Sequence, residues 1–330
     1  MELPLDLRSA IDEELASLPS NRLAASTAEL SKRYRGESPT SGGKFLQCTE
    51  DVAAYAAFRL PATFAAVYAA LGQTEDRLPH WRPESMLDVG AGPGTATWSA
   101  TSMWPEVKRI TLLEREEGMI ALGKRLASRT NRASLQGATW LRTDINGAWK
   151  ASPHDLVIAS YVLGELPPES WEPFVSKLWE TTSGTLVIVE PGTPAGSRRI
   201  RLAREQLLRA GANSVAPCPH SRPCPVADSD WCHFAQRIAR SRLHRHVKGG
   251  ELSYEDEKFS FVCASRLSGA AVTGRVIRHP QVRPGHIHLE LCTPEGLKHT
   301  VVTRKDRNLF RAARDLGWGS VMPLKEEQPD

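Results

Sequence analysis

Two sets of residues in this 330-residue sequence have the types and spacing to do chemistry. One is the run Asp88-Val89-Gly90-Ala91-Gly92-Pro93-Gly94-Thr95, which directly follows an apolar stretch. Alternating glycines let a backbone turn sharply and come within contact of a ligand, an approach that side chains would block. The other is Cys218, Cys224 and Cys232, three thiols within 15 residues, in a loop stiffened by Pro217, Pro219, Pro223 and Pro225. Thiolates beside basic residues have lowered pKa values and suit a soft metal.

The glycine run has to be read with its surroundings. A dinucleotide fingerprint would place its third glycine at position 95, where this chain has threonine. Gly-x-Gly-x-Gly after an acidic residue is instead the pattern of class I S-adenosylmethionine (SAM) methyltransferases. Glu114 closes the next apolar stretch, where a carboxylate can accept both ribose hydroxyls. Asp144 stands where an acid caps the adenine amino group, and Ser160 and Tyr161 border the methyl-donor pocket. The expected cofactor-binding set is Asp88, Gly90, Gly92, Gly94, Glu114, Asp144, Ser160 and Tyr161.

A catalytic signature does not accompany it. Methyl transfer is an in-line displacement that needs positioning, plus a base or nucleophile for some acceptors. A covalent route to C5 of pyrimidines needs a cysteine near the fourth or fifth strand, and residues 49–217 contain none. The Asp/Asn-Pro-Pro-Tyr/Phe signature of base-amine methylation is replaced by Ser160-Tyr161-Val162-Leu163. No catalytic residue is assigned. Glu190, in Glu190-Pro191-Gly192-Thr193, is expected to line the pocket at most.

For the thiols, gaps of five and seven residues fit zinc pairs poorly, because those usually leave two to four between ligands. Wider gaps suit an iron–sulfur cluster. A fourth ligand must then come from elsewhere, and Cys292, ending a strand before a Thr-Pro-Glu-Gly turn, is the best candidate. Zinc stays open as the alternative metal, with His220 and His233 as alternative ligands. Cys48 and Cys263 read as core.

These groups need elements to position them. Continuous apolar runs at 86–89, 110–113, 156–159 and 186–189 read as strands buried on both faces, with a weaker one at 138–141. Helices fit between them at 95–102, 119–130 and 170–182, followed by a basic amphipathic helix at 195–210. Such alternation predicts a doubly wound parallel sheet, an α/β class I methyltransferase (Rossmann-like) fold. Before it, residues 1–80 read as a helical region with Leu15, Leu18, Leu23 and Leu30 as core contacts, and Pro61 is expected to kink or divide a helix at 49–72. The domain boundaries so drawn are 1–80, 81–212, 213–248 (cysteine- and arginine-rich) and 249–330. The second segment is SAM-binding. The third includes a short basic helix at 234–247, and the last holds a strand at 258–264, a small β-unit and a terminal helix at 306–316.

Composition bounds the rest. Hydrophobic residues make up 41% and mean hydropathy is −0.35. The apolar runs are too short or broken to span a bilayer, so no membrane partner is expected. Residues 1–18 carry five acidic residues and one arginine, unlike a signal or transit peptide, which predicts a cytoplasmic protein. The net charge of +4 is unevenly spread, since residues 196–248 hold 11 basic and 3 acidic side chains. A local +8 beside a SAM-type fold favours a polyanionic partner. Arg198, Arg199, Arg201, Arg237, Arg240, Arg242 and Arg245 are the expected phosphate contacts.

Taken together, the 88–95 loop, the Cys218-Pro219-His220, Cys224-Pro225 and Trp231-Cys232-His233-Phe234 motifs, and the Lys258-Phe259-Ser260-Phe261-Val262 strand resemble a known family. It is the methyltransferase-like small-ribosomal-subunit protein family of mitochondria and bacteria. Ala54-Tyr55, Arg59-Leu60-Pro61-Ala62-Thr63 and Leu291-Cys292-Thr293 share the resemblance, which covers roughly 45–320. It implies a SAM-type fold with a four-iron, four-sulfur (4Fe–4S) cluster on Cys218, Cys224, Cys232 and Cys292. It also implies a role in small-subunit assembly through rRNA and assembly intermediates. Two further readings stand beside it: an active rRNA methyltransferase with a structural cluster, and a zinc-stabilised methyltransferase for a non-RNA substrate. The N-terminal composition favours the bacterial, cytoplasmic branch.

Overall fold

The computed structural model describes residues 1–16, 23, 25–26, 49–240 and 252–322. Their apolar runs form the expected parallel strands: β1 (Ser85–Val89), β2 (Arg109–Glu114), β3 (Thr139–Arg142), β4 (His154–Ser160) and β5 (Thr182–Pro191). β6 (Asn213–Ala216), β7 (Phe234–Ala239) and β8 (Tyr254–Ser265) complete an eight-stranded sheet. Its order is β3-β2-β1-β4-β5-β8-β6, with β7 also paired to β8. β8 runs antiparallel to β5, β6 and β7. A parallel sheet with an antiparallel strand inserted between its fifth and sixth members is the class I SAM methyltransferase fold. Its core strands are continuous apolar runs because helices cover both faces.

β8 departs from the boundaries drawn from sequence, which left it in the C-terminal segment. Its second half, Phe259–Ser265 in the β5 register, is buried throughout and fills the sheet. The structure also places a strand, β7, where a basic helix was expected at 234–247. Phe234 and Ile238 are buried and Arg237 exposed, a two-residue alternation that a strand satisfies. Cross-strand pairs Arg237–Asp256 and Arg240–Glu255 lace β7 to β8. Residues 241–251, including Arg242 and Arg245, lie outside the described residues, as do Leu18, Leu30 and Cys48.

The helices are α1 (Leu5–Leu15), α2 (Thr49–Glu75), α3 (Thr95–Met103), α4 (Glu117–Ser128), α5 (Ala133–Gln136), α6 (Trp171–Glu180), α7 (Pro194–Arg209) and α8 (Arg307–Arg314). Pro61 sits inside α2 without dividing it. Leu60, Phe64, Ala65 and Val67 around it are at most 1% exposed, so packing holds the helix through the missing hydrogen bond. By length and apolarity alone α2 could cross a membrane, contrary to the reading of the runs as too short; 72% of its apolar window is buried within the protein, as befits a core helix. Leu15 and Leu23 are core residues, as read from sequence. The small β-unit comprises β9 (Gly274–Val276), β10 (Gln281–Arg283), β11 (His286–Thr293), β12 (Gly296–Thr303) and β13 (Val321–Met322). It packs Val276, Ile287, Leu289, Leu291 and Val302 with Ala313 of α8.

Candidate cofactor and cysteine sites

The glycine loop joins β1 to α3. Gly90, Gly92 and Gly94 have φ of 70°, 54° and 81°, in the region that disfavours any side chain. A Cβ on Gly90 would stand 2.6 Å from Val162 Cγ2, so this glycine is also needed for close approach. Asp88 is fully buried behind the loop, where its Oδ2 accepts from Thr97 N (3.1 Å) and Thr97 Oγ1 (2.8 Å). Burial pushes its carboxyl up to about 7, against the Thr97 bonds and with a small push from Glu114. Asp88 thus braces α3 from within.

Glu114, at the end of β2, is 9% exposed. Its Oε2 accepts from Gly92 N and its Oε1 from Glu116 N, both at 2.7 Å. Each oxygen keeps a lone pair that a ribose hydroxyl can use. Burial raises its pKa despite these bonds. Asp144 is exposed beyond β3, with Oδ1 accepting from Asn146 N and Nδ2. Thr143 N donates to Glu114 O at 2.9 Å, drawing that loop to the end of β2.

Ser160 ends β4, and Tyr161 follows with φ of 61°, the one non-glycine positive φ among the described residues. Such a conformation costs roughly 1–2 kcal/mol and persists where surroundings fix it. Here the Tyr161 hydroxyl donates to Glu257 Oε1 (2.8 Å), and Arg59 lies over the ring at 4.4 Å. Arg59 also pairs with Glu257 at 3.0 Å. One wall therefore joins α2, the end of β4 and β8. Sequence reasoning missed Arg59 and Glu257, as well as Tyr55, whose hydroxyl would be 3.6 Å from a Cβ on Gly92.

It also missed Glu165, which stays accessible yet is closely surrounded, so that burial, then Glu114 and Glu190, push its carboxyl up to about 7. Glu190 is 0% exposed, with Oε2 accepting from Arg199 Nε at 2.7 Å and Oε1 unpartnered among the described residues.

The cysteines converge from two distant stretches. Cys218, Cys224 and Cys232 lie between β6 and β7 and are partly accessible; Cys292 of β11 is 6% exposed. Each of the six pairs among these four thiols is near enough for one to disfavour ionisation of the other. Three of them, Cys218, Cys232 and Cys292, are pushed up, not down as their basic surroundings suggested: Cys292 to about 12 and Cys232 well above its usual value, chiefly by burial. As they stand, no three or more His, Cys, Asp or Glu side chains among the described residues are set to hold a metal ion. Cys263 is core. His220 Nε2 is 3.6 Å from Cys292 Sγ, and His233 stacks with Trp231 and meets Trp318 edge-on. Arg222 Nη1 donates to Pro294 O (2.9 Å), and Arg278 pairs with Asp230, tying the cysteine loop to the β-unit.

The arginines are mostly committed within the chain. Arg199 pairs with buried Glu190, Arg201 with Asp228 (2.5 Å), Arg237 with Asp256 (2.8 Å) and Arg240 with Glu255 (3.2 Å). Arg198 is exposed, without an ion pair among the described residues.

The family described as "Mitochondrial small ribosomal subunit Rsm22" matches residues 49–323. The chain belongs to this family. It is 32% identical over 289 residues to "Ribosome assembly protein METTL17, mitochondrial" of Homo sapiens, covering 82% of this chain and 62% of the human protein. It is 20% identical over 466 residues to "Ribosome assembly protein RSM22, mitochondrial" of Saccharomyces cerevisiae, covering 95% of this chain and 73% of the yeast protein. The chain thus spans less than two thirds of the human relative's length. Among solved structures, the magnesium protoporphyrin IX methyltransferase of Synechocystis with bound SAM aligns with a TM-score of 0.42 at 13% identity, over 80% of this chain and 99% of that one. The family description and both curated relatives are mitochondrial, which corrects the bacterial, cytoplasmic expectation drawn from the composition of residues 1–18.

Proposed function

We propose that this protein assists assembly of the small ribosomal subunit as a SAM-binding, iron–sulfur protein that contacts rRNA. Membership of the Rsm22 family over residues 49–323 carries this reading. Gly90, Gly92 and Gly94 would let the cofactor approach the backbone, and Glu114 would hold its ribose. Asp144 would face the adenine, while Ser160 and Tyr161 would border the methyl group. Asp88 would act indirectly, by holding α3.

Four thiols from two chain segments, each within electrostatic reach of the others, would suit a 4Fe–4S cluster better than the loop spacing suits zinc. Such a cluster would supply cross-links that pin residues 218–232 to β11. The same donors could bind zinc, and metal analysis decides between them. Replacing Cys218 with Ser is expected to lose most of the iron from anaerobically reconstituted protein and to loosen the β-unit in hydrogen exchange; full iron retention would reject the ligand set.

One observation favours an active rRNA methyltransferase as the second reading. Glu165, titrating near neutrality beside Glu114 and Glu190, could take a proton from an acceptor. The decisive measurement is transfer of labelled methyl from SAM to immature small subunits. If transfer occurs, Glu165→Gln is expected to reduce its rate by about 10²-fold while SAM still binds. If the protein comigrates with the subunit without transfer, the fold serves as a binding platform.

A further inference from the structure

Arg204 is an unusual residue for the interior. It lies on α7, is 3% exposed, and has no carboxylate partner among the described residues. Its Nη2 donates to the carbonyls of His220 (2.7 Å) and Arg222 (2.8 Å), which shape the loop between Cys218 and Cys224. Its other nitrogens, Nε and Nη1, are buried and have no hydrogen-bond partner among the described residues. Burying a guanidinium with donors unmet is costly, so such groups are normally paired.

The surroundings indicate what would pair with it. The positive charge of Arg204 favours ionisation of both Cys218 and Cys292. A second interior arginine, Arg275 (0% exposed), acts on the same two thiols. Arg275 donates through Nε to Pro217 O (3.1 Å), Nη1 to Gly319 O (2.7 Å) and Nη2 to Gln73 O (3.3 Å), so its hydrogen bonds are satisfied while its charge is only partly offset by Asp76 at 3.6 Å. Two interior cations thus reach the cysteine set, and among the described residues only Arg275 has a carboxylate near it, Asp76. Four thiolates around a doubly positive 4Fe–4S core carry a net double negative charge, which two guanidiniums would balance.

We propose that Arg204 is a positioning residue for the cluster. In the loaded site its Nε and Nη1 donate to cysteine sulfur, and with Arg275 it offsets the negative charge of the ligated cluster. This inference rests on the iron–sulfur reading above. It adds that hydrogen bonds and positive charge on the cysteine side set how firmly the cluster is held and how readily it accepts an electron, since both factors govern cluster potentials.

The test compares the full chain, Arg204→Gln and Arg204→Lys after anaerobic reconstitution with iron and sulfide. Iron per chain, the rate of iron loss to a chelator, and the midpoint potential under dithionite titration are measured. Arg204→Gln is expected to lose iron about tenfold faster, as one charge-assisted hydrogen bond implies, and to have a lower midpoint. Arg204→Lys keeps the charge but lacks the fork; it is expected to keep the midpoint near wild type yet release iron faster. A purely structural arginine would leave the midpoint of folded Arg204→Gln unmoved, and that result, or an unchanged iron-release rate, overturns the inference. If Arg204→Gln does not fold, Arg204→Lys decides: faster release supports the inference and wild-type release overturns it. Failure of the unaltered chain to hold iron would instead overturn the cluster reading itself.

Discussion

Asp88 belongs to the glycine-loop motif, yet its side chain does its work inside the protein. Fully buried and bonded to Thr97, its carboxyl titrates near 7 rather than near 3.8. The folded state therefore binds a proton that the unfolded chain has released above pH 4. The stability this group contributes is present at low pH and is lost as pH rises through 7. Between pH 5.5 and 7.5 the loss is on the order of 2 kcal/mol. Asp88→Asn is expected to flatten that part of the pH profile, which denaturant melts at several pH values would measure; an unchanged profile would refute the titration. The motif was legible in sequence because a backbone at positive φ leaves its mark in residue type. Arg59, Glu165 and Glu257 were not legible. They come from α2, the turn after β4 and β8, and only folding brings them near the site; even Arg59, inside a run that resembles the family, carries no local mark of its contact with Tyr161 and Glu257.

Among elements, the apolar runs located β1 and β2 to within one residue at each end and marked only the buried centres of the longer β4 and β5, because strands buried on both faces admit little else. The basic stretch after Cys232 misled for the opposite reason. Its arginines suit either a helix or a strand, and the choice of strand comes from pairing with β8, the next strand along the chain. The junction of the cysteine loop, α2 and the β-unit was equally invisible, since scattered arginines make it and one of them, Arg275, reaches all three parts. Arg275 bonds three carbonyls, those of Pro217, Gly319 and Gln73. Arg275→Met keeps much of the volume but strands these acceptors, each at about 1–3 kcal/mol. The expected loss is at least about 3 kcal/mol, with hydrogen exchange in β9 and β13 rising first. Uniform protection across the mutant β-unit would show that the junction does not depend on this residue.

For the whole molecule, the uneven charge of the sequence proves a poor guide to which side chains can meet a phosphate. Residues 196–248 carry a net +8, yet Arg199, Arg201, Arg237 and Arg240 already hold carboxylates of this chain. These pairs are not equivalent. The Arg237–Asp256 pair is exposed on both sides, at 58% and 41%, and such pairs are cheap to exchange for another anion. The Arg199–Glu190 pair is not, because Glu190 is 0% exposed and would be left charged and buried. In the proposed role, binding to small-subunit rRNA should therefore show a salt dependence smaller than the arginine count suggests. Arg198→Ala removes an exposed cation without an ion pair among the described residues and is expected to lessen the slope of log affinity against log salt by roughly 0.7–0.9 without changing stability. Arg199→Ala is expected to do the reverse, keeping the slope while costing roughly 3–5 kcal/mol of stability. Salt titrations of rRNA binding, paired with denaturant melts of the same two variants, separate these outcomes. If Arg199→Ala changed the slope as much as Arg198→Ala, the buried pair would have to open on binding, and the charge of the segment would count as the sequence has it.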